Sequence, residues 1–381
     1  VIIYFIILFG ALTLFYRSSF TNPPRSDFWP LFYVFQKAET TSPAATWIWI
    51  MNHDPWRHGT FRPLSHLILY WEYKIFASRF FWNHILTFLG YCLSILLLYL
   101  LSRRFGLNRF LTLALLTVFA FLFSHFDIVT WTFQIFTIIA FSAFITGFIF
   151  YGRFLTNQNA LLLPLIGALF LLGLLCSESV MLWPLAVFIF PQATDSVSGG
   201  RTVSRQAPPN TYRIVLIASV YLTYGVIFFL TRAASHTSGP LPRPDFEQGA
   251  LSIALVFFNL FYTGLLVNLI PSLNTPLLVW DNLDMGGLLL NMKPGLLWTG
   301  TAGIVLLGLG AALLYRKQKF PALRQAAFLL CLYVTNFFII ALARLTTNRP
   351  VYSLAQFRYQ YIPNGLLALI LVIILSATFR L

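Results

Sequence analysis

Long apolar stretches separated by short basic connections constrain this chain more than any other feature. Of its 381 residues, 58% are hydrophobic and only 9% are charged. A water-soluble domain of this size needs a more highly charged surface, so the composition predicts a polytopic, all-α membrane protein. The stretches that are long enough, or nearly long enough, to cross a bilayer as helices are 1–16, 80–101, 110–124, 128–150, 159–175, 178–191, 213–231, 297–315, 325–343 and 361–379.

The basic residues predict the orientation of these spans. Arginine and lysine concentrate in the connections at 103–109, 153, 201–213 and 316–324, and such connections lie on the cytoplasmic side. The formal charge of +14 therefore comes mostly from membrane topology, and nucleic acid is not expected as a partner. The first long loop, 17–79, is predicted to be external.

The region 246–276 does not fit a simple alternation of spans. If it crossed the membrane, the basic cluster at 316–319 would be external, against the charge rule. Asn259, Asn268 and Pro271 also interrupt its apolar character. We therefore expect a re-entrant or interfacial helix within an external loop, 232–296. The prediction is one transmembrane domain over 1–381, with about ten spans and both termini in the cytoplasm.

Two residues of the first external loop suggest chemistry. Asp27 follows the first span, and aromatic residues come directly after it. A partly desolvated carboxylate of this kind suits a general base, while the alternative is a helix N-cap. Arg62 precedes Pro63, a favourable residue for a first helical turn. Its guanidinium could bind a phosphate bidentately or simply anchor the chain at the membrane interface.

Further candidates lie at the same predicted face of the membrane. His53 and Asp54 are adjacent, which is more typical of a surface turn than of a metal pair or an acid–base pair. His125 and Asp127 stand where two apolar stretches meet, so they are either loop residues or a second external acid–base site. Glu178 is a lone carboxylate between apolar stretches and is costly unless a partner such as an arginine pairs with it.

The last external loop adds positive charge. Arg344, Arg349 and the pair Arg358-Tyr359 precede the final span. Arginines on the external side run against the topological trend and indicate an anion. That anion is either the headgroup of a resident lipid or the phosphate of a lipid-linked donor.

Taken in order, these segments resemble the GT-C superfamily of polyprenyl-phosphate-sugar-dependent glycosyltransferases. The chain is most similar to the membrane part of the tetratricopeptide O-mannosyltransferases. The resemblance covers nearly the whole chain, although each motif is short. It is carried by Asp27-Phe28-Trp29, Phe61-Arg62-Pro63-Leu64, His125 through Val129 to Trp131, Glu178 with Pro184, and Arg358-Tyr359.

The resemblance implies sugar transfer from a polyprenyl phosphate on the external face. Asp27 would be the general base, and Arg358, helped by Arg344 or Arg62, would stabilise the leaving phosphate. The chain departs from the family where Ser26 replaces one of two acidic residues and Ser177 replaces a lysine. A divalent metal occurs in the superfamily, but one carboxylate does not favour it here.

The departures leave a second hypothesis open. The protein would be a non-catalytic GT-C-like subunit, packed against partner membrane subunits as a scaffold or assembly component. A transporter is less favoured because the sequence shows no internal repeat. For either hypothesis, the expected location is a bacterial inner membrane, with the functional face on the periplasmic or extracellular side.

Overall fold

The computed structural model describes residues 1–21, 28–40, 42–52, 61–76, 79–122, 125–130, 132–190, 209–234, 294–344 and 361–379. Within these ranges the chain forms helices and no β-strand. Five of the helices in the described ranges are long and apolar enough to cross a membrane. This finding confirms the coarse prediction of an α-helical integral membrane protein.

The described parts of the first loop are helical. The loop follows helix α1 (Ile2–Phe15) and a 3-10 turn at Arg17–Thr21, and contains α2 (Phe28–Glu39), α3 (Pro43–Asn52) and α4 (Pro63–Phe76). A salt bridge of 2.7 Å joins Lys74 Nζ on α4 to Glu39 Oε1 at the end of α2. The Tyr70 hydroxyl donates to the same carboxylate oxygen at 3.2 Å. These contacts fix α4 against α2.

A tight turn joins the next two helices, α5 (Phe80–Arg104) and α6 (Arg109–Ala120). Gly106 has φ +70°, a conformation that glycine adopts without strain. The Leu107 N–H then donates to the Ser102 carbonyl at 3.1 Å, which closes the end of α5 as in a Schellman motif. The Asn108 side chain caps α6 by accepting from two backbone N–H groups.

The predicted span 128–150 begins later than the sequence suggested. Its first residues divide between a short helix, α7 (Phe126–Thr130), and a 3-10 turn at Thr132–Gln134. The continuous helix α8 runs over Ile135–Asn157 and is followed by α9 (Leu162–Cys176). Apolar residues continue through this short helix and turn, so hydropathy does not distinguish them from the start of a span.

The apolar stretch 178–191 is not one α-helix. It consists of two 3-10 segments, Glu178–Val180 and Trp183–Phe188. Pro184 lies at the start of the second segment and has no N–H to donate, so it does not support a continuous α-helical ladder. The indole N–H of Trp183 donates to the Leu332 carbonyl at 3.2 Å, which holds this segment against a later helix.

Four helices complete the described chain. They are α10 (Asn210–Ala234), α11 (Pro294–Arg316), α12 (Phe320–Arg344) and α13 (Tyr361–Phe379). The long candidate spans come from α5, α8, α10, α12 and α13, while α1, α6, α9, the 178–188 segment and α11 supply shorter apolar helices. The predicted re-entrant helix of 246–276 lies outside the described residues.

Side-chain contacts distinguish the two ends of the bundle. At what we call the basic end, Lys317 Nζ donates to the Thr378 carbonyl at 2.8 Å. At the same end, Gln325 Nε2 donates to the Phe105 carbonyl at 3.1 Å. The opposite end, where α4 meets the turn after α9, we call the loop end.

Helices α8 and α9 pack through reciprocal glycine–phenylalanine contacts. The ring of Phe144 on α8 lies against Gly173 on α9, and the ring of Phe170 on α9 lies against Gly147 on α8. The two rings stack, with centroids 5.1 Å apart. A Cβ at either glycine would overlap the opposite ring. Close approach of this kind is typical of packing between membrane helices.

Gly173→Ala should therefore destabilise the protein by about 1–3 kcal/mol, because the stacked rings have to move. Gly225→Ala is the matched control, since a Cβ there meets no atom within 4 Å. The control should be neutral or stabilise its helix by up to about 1 kcal/mol. Thermal unfolding in detergent measures both changes. Equal melting temperatures for the two variants would contradict the packing described for Gly173.

Candidate functional site

The structure describes only some of the residues predicted to form the site. It gives side-chain positions for Arg62, Glu178 and His125, and backbone positions for Asp127 and Arg344. The remaining candidates lie outside the described residues: Asp27, His53, Asp54, Arg358 and Tyr359. The site can therefore be built from Arg62, Glu178 and the groups around them.

Arg62 and Glu178 form a bidentate ion pair. Arg62 Nε donates to Glu178 Oε2, and Arg62 Nη2 donates to Glu178 Oε1. Their side chains are 20% and 16% exposed, so water screens the pair only partly. The parallel fork matches the planar guanidinium to the carboxylate. The expectation that Glu178 pairs with an arginine is confirmed.

The start of α4 is anchored to the end of α9 next to this pair. Ser65, on the first turn of α4, donates its hydroxyl to the Cys176 carbonyl at 2.5 Å. That contact satisfies one of the last carbonyls of α9, which have no partner within their own helix. The Arg62 guanidinium also lies over the Phe136 ring, 5.1 Å from its centroid. The arginine is thus held by a carboxylate and an aromatic face.

Two other helices close the loop end around the ion pair. The Phe61 ring packs against Tyr224 and Phe228 of α10, with centroids 5.6 and 5.0 Å away. On α12, Asn336 Nδ2 donates to the Ser179 carbonyl at 3.2 Å. The Phe-Arg-Pro-Leu and Cys-Ser-Glu-Ser segments are therefore fixed to each other and to the bundle.

His125 belongs to a buried network in which hydrogen bonds satisfy the polar groups. The Tyr91 hydroxyl donates to the Ala120 carbonyl at 2.9 Å and lies 2.8 Å from His125 Nδ1. Burial lowers the pKa of His125 to about 3, which keeps the ring neutral. These features indicate a structural histidine.

The same network continues into α13. Tyr361 and Ser94 share a short hydrogen bond, and Ser94 donates its own hydrogen to the Tyr91 carbonyl at 2.6 Å. Asn364 Nδ2 lies 3.5 Å from His125 Nε2. A chain of hydrogen bonds therefore crosses the bundle from α5 to α13.

The structure also reveals buried polar groups that the sequence analysis missed. Glu72 is 2% exposed and Asn83 is 0% exposed, and neither side chain has a hydrogen-bond partner. A signal for Asn83 was present in the sequence. Asn83, Thr87, Tyr91 and Ser94 recur at helical spacing along an apolar span, which places polar groups on one face.

Glu72 has a strongly perturbed carboxyl group. Burial raises its pKa to about 8, because the charged form loses its hydration without gaining a partner. The unfolded chain binds this proton only below a pKa of about 4.3. At a pH between these two pKa values, unfolding therefore releases a proton. The contribution of Glu72 to stability falls as pH rises from about 4.5 to 8.

Glu72→Gln should consequently stabilise the protein at pH 7 by about 3 kcal/mol and change little at pH 4.5. Chemical or thermal unfolding at several pH values measures the difference. Glu39→Gln is the matched control, because its carboxylate lies in an exposed pair with Lys74 that is worth at most about 1 kcal/mol. A benefit of Glu72→Gln that did not vary with pH would show that water reaches this carboxyl group.

Metal binding has no candidate group in the part of the chain that the structure describes. No three side chains among its histidines, cysteines, aspartates and glutamates lie together in a way that could hold an ion. Among the described residues, the loop end contains an ion pair, a neutral histidine and buried uncharged polar groups.

Comparison with known proteins gives no match. No protein-family model matches the chain, and no curated protein or solved structure matches it.

Proposed function

We propose that this protein is a membrane glycosyltransferase of the GT-C type, with about ten spans. It would transfer a sugar from a polyprenyl phosphate to an acceptor hydroxyl on the external face. One observation carries the proposal. Arg62 and Glu178, 116 residues apart, meet in a bidentate pair, so two of the segments that resemble the family converge at the loop end.

Asp27 is the general base in this proposal. The acceptor hydroxyl gives its proton to Asp27 while its oxygen attacks the anomeric carbon of the sugar. The bond from that carbon to the phosphate oxygen breaks, and the electron pair leaves with the polyprenyl phosphate, which inverts the anomeric centre. Asp27 lies six positions after Thr21, so the extended chain limits their Cα–Cα distance to about 20 Å.

In this proposal, Arg358 and Arg344 are the main residues that stabilise the leaving polyprenyl phosphate. Glu178 already engages two of the five N–H donors of Arg62. The proposed role of that ion pair is to hold the start of α4, and with it the mouth of the external loop, in place. Arginines facing the leaving group would act electrostatically, an effect commonly worth about 3–4 kcal/mol for each donor group.

Turnover of a lipid-linked sugar tests the proposal. The purified protein is reconstituted in phosphatidylglycerol-containing vesicles with polyprenyl-phosphate mannose or polyprenyl-phosphate glucose. Hydroxyl-bearing peptides and lipids serve as acceptors, and mass spectrometry follows the release of polyprenyl phosphate. Acceptor-dependent release is the expected result. A folded protein that binds neither donor would contradict the proposal.

A non-catalytic subunit is the second candidate, and the ion pair itself favours it. Arg62 and Glu178 neutralise each other, as charged groups do when their task is to hold elements together. In that case the protein would be isolated with partner membrane subunits. The isolated complex would show no turnover of either donor.

A further inference from the structure

Two arginines approach each other at the basic end, where α5 and α8 finish. Arg104 is the last residue of α5, and its side chain lies along the backbone of α8. A Cβ at Gly152 would be 2.8 Å from Arg104 Nε and 3.4 Å from Arg104 Cγ. Arg104 Nη2 also donates to the Thr156 hydroxyl at 3.1 Å. These two contacts hold the guanidinium beside the turn of α8 that contains Arg153.

The two guanidinium groups carry charges of the same sign. Arg153 follows Gly152 in the sequence and lies close enough to Arg104 for their positive charges to repel each other. Arg104 is half-buried, while Arg153 is exposed and lies over the Phe150 ring, 5.2 Å from its centroid. Repulsion between like charges grows where protein and lipid displace water. A half-buried arginine held beside a second arginine is therefore costly unless an anion joins them.

In the described ranges, no carboxylate accompanies these two arginines. The acidic residues of those ranges belong to the first loop, to α7 and to the turn after α9; they are Glu39, Glu72, Asp127 and Glu178. Asp195, the one acidic residue in the basic connections of the sequence, lies outside the described residues. Water can supply hydrogen bonds to a guanidinium but no negative charge. The pair therefore calls for an anion as its ligand.

The ends of α5 and α8 offset only part of the positive charge. The C-terminus of a helix carries about half of one negative elementary charge. The described hydrogen bond of Arg104 goes to the Thr156 hydroxyl and not to a carbonyl at either helix end. Arg103, also in the last turn of α5, adds a third positive charge. This corner of the bundle therefore stays net positive.

The position of the two arginines indicates a lipid as the source of the anion. Arg104 ends one of the candidate spans, at the level where phospholipid headgroups lie. Leu93 and Leu100 share its face of α5 at helical spacing, and they are 50% and 43% exposed. An apolar stripe therefore leads from the arginines towards the middle of the membrane. The acyl chain of a phospholipid follows the same direction from its phosphate.

The chemistry of the site favours a headgroup with a net negative charge. A guanidinium presents a planar fork of N–H donors that matches two oxygens of a phosphate. The ammonium group of a zwitterionic headgroup would find positive charges here and, among the described residues, no carboxylate. Phosphatidylglycerol carries the phosphodiester without an ammonium group.

We propose that Arg104 and Arg153 bind the phosphodiester of an anionic phospholipid such as phosphatidylglycerol, whose acyl chain lies along Leu93 and Leu100. This site is at the opposite end of the bundle from the proposed sugar transfer and does not depend on it.

Lipid binding by the full chain in a neutral detergent tests the site. The probes are phosphatidylglycerol and phosphatidylcholine with the same acyl chains, and inorganic phosphate. Native mass spectrometry counts the bound lipid, and thermal melts measure the stabilisation by each probe. Phosphatidylglycerol should bind about tenfold more tightly than phosphatidylcholine. Inorganic phosphate at the same concentration should not shift the melting temperature, because it lacks the acyl chains.

Arg104→Gln and Arg153→Gln should each weaken phosphatidylglycerol binding about tenfold, since each removes a charged donor of hydrogen bonds. Without lipid, Arg104→Gln should melt at or above the temperature of the unaltered protein, because it relieves the repulsion. Arg109→Gln is the matched control. It removes the same charge from the basic end, at an exposed arginine that lies over the Phe110 ring. It should leave the lipid preference nearly unchanged, since salt screens a charge outside the site.

Three results would overturn the assignment. The first is equal binding of the two phospholipids, or a preference for phosphatidylglycerol that both glutamine variants keep. The second is a shift by inorganic phosphate as large as that by phosphatidylglycerol, which would make free phosphate the ligand. The third concerns Asp195. If Asp195→Asn and Arg104→Gln destabilise the lipid-free protein equally and their effects do not add, this carboxylate is the partner of Arg104 and no lipid is needed.

Discussion

Asp27→Asn should lower the rate of sugar transfer by about 10²–10⁴-fold, the usual contribution of a general base. The amide keeps the size of the side chain but cannot accept the proton of the acceptor hydroxyl. Affinity for the lipid-linked donor should change little, because the base acts on the acceptor. Initial rates of polyprenyl phosphate release, with donor binding measured separately, check both statements.

Glu39→Gln is the matched control for that experiment. It makes the same chemical change in the same loop, at a carboxylate paired with Lys74. It should keep full activity. Unchanged transfer by Asp27→Asn would remove the residue from the mechanism, and a rate lost equally in both variants would indicate a general effect of charge in this loop.

Glu178→Ala should destabilise the protein by about 3 kcal/mol, because it leaves the guanidinium of Arg62 partly buried without its carboxylate. Arg62→Ala should cost a similar amount for the converse reason. The double variant should cost less than the sum of the two, since neither charge is then left behind. Thermal or denaturant unfolding of the four proteins completes a double-mutant cycle.

The neighbouring bond supplies a control for the ion pair. Ser65→Ala removes the hydrogen bond to the Cys176 carbonyl at the same junction and should cost only about 1 kcal/mol. Additive effects of Glu178→Ala and Arg62→Ala would show that the two side chains do not depend on each other in solution. The loop end would then be held by the contacts of Phe61 and Ser65.

The sequence predicted the elements whose structure depends on residues close together in the chain. The spans around α5, α10, α12 and α13 follow from runs of apolar residues. The prediction was less accurate at 128–134 and 178–191. There, apolar residues continue through short helices and 3-10 turns, and hydropathy does not distinguish these from a span.

The candidate site divides in the same way. Glu178 was expected to need an arginine because a lone carboxylate between apolar stretches is costly. Only the structure shows that this arginine is Arg62, because the pair forms when α4 packs against the end of α9. Glu72 and Asn83 were missed, since an isolated polar residue in an apolar context does not reveal whether a partner stands opposite. Burial keeps His125 neutral, which does not suit it to acid–base chemistry. The residues next to His125 in the sequence do not determine how deeply it is buried.

The sequence by itself determined that this protein lies in a membrane, and it determined the positions of most of its helices. Transfer of each segment from water to lipid depends on the sum of its own side chains, and that sum can be read along the chain. Only the tertiary structure decided which polar groups pair, as Arg62 and Glu178 do, and which remain unpaired, as Asn83 does. Hydrogen bonds and ion pairs need two groups within about 3 Å, and here those groups come from segments that folding brings together over more than a hundred residues.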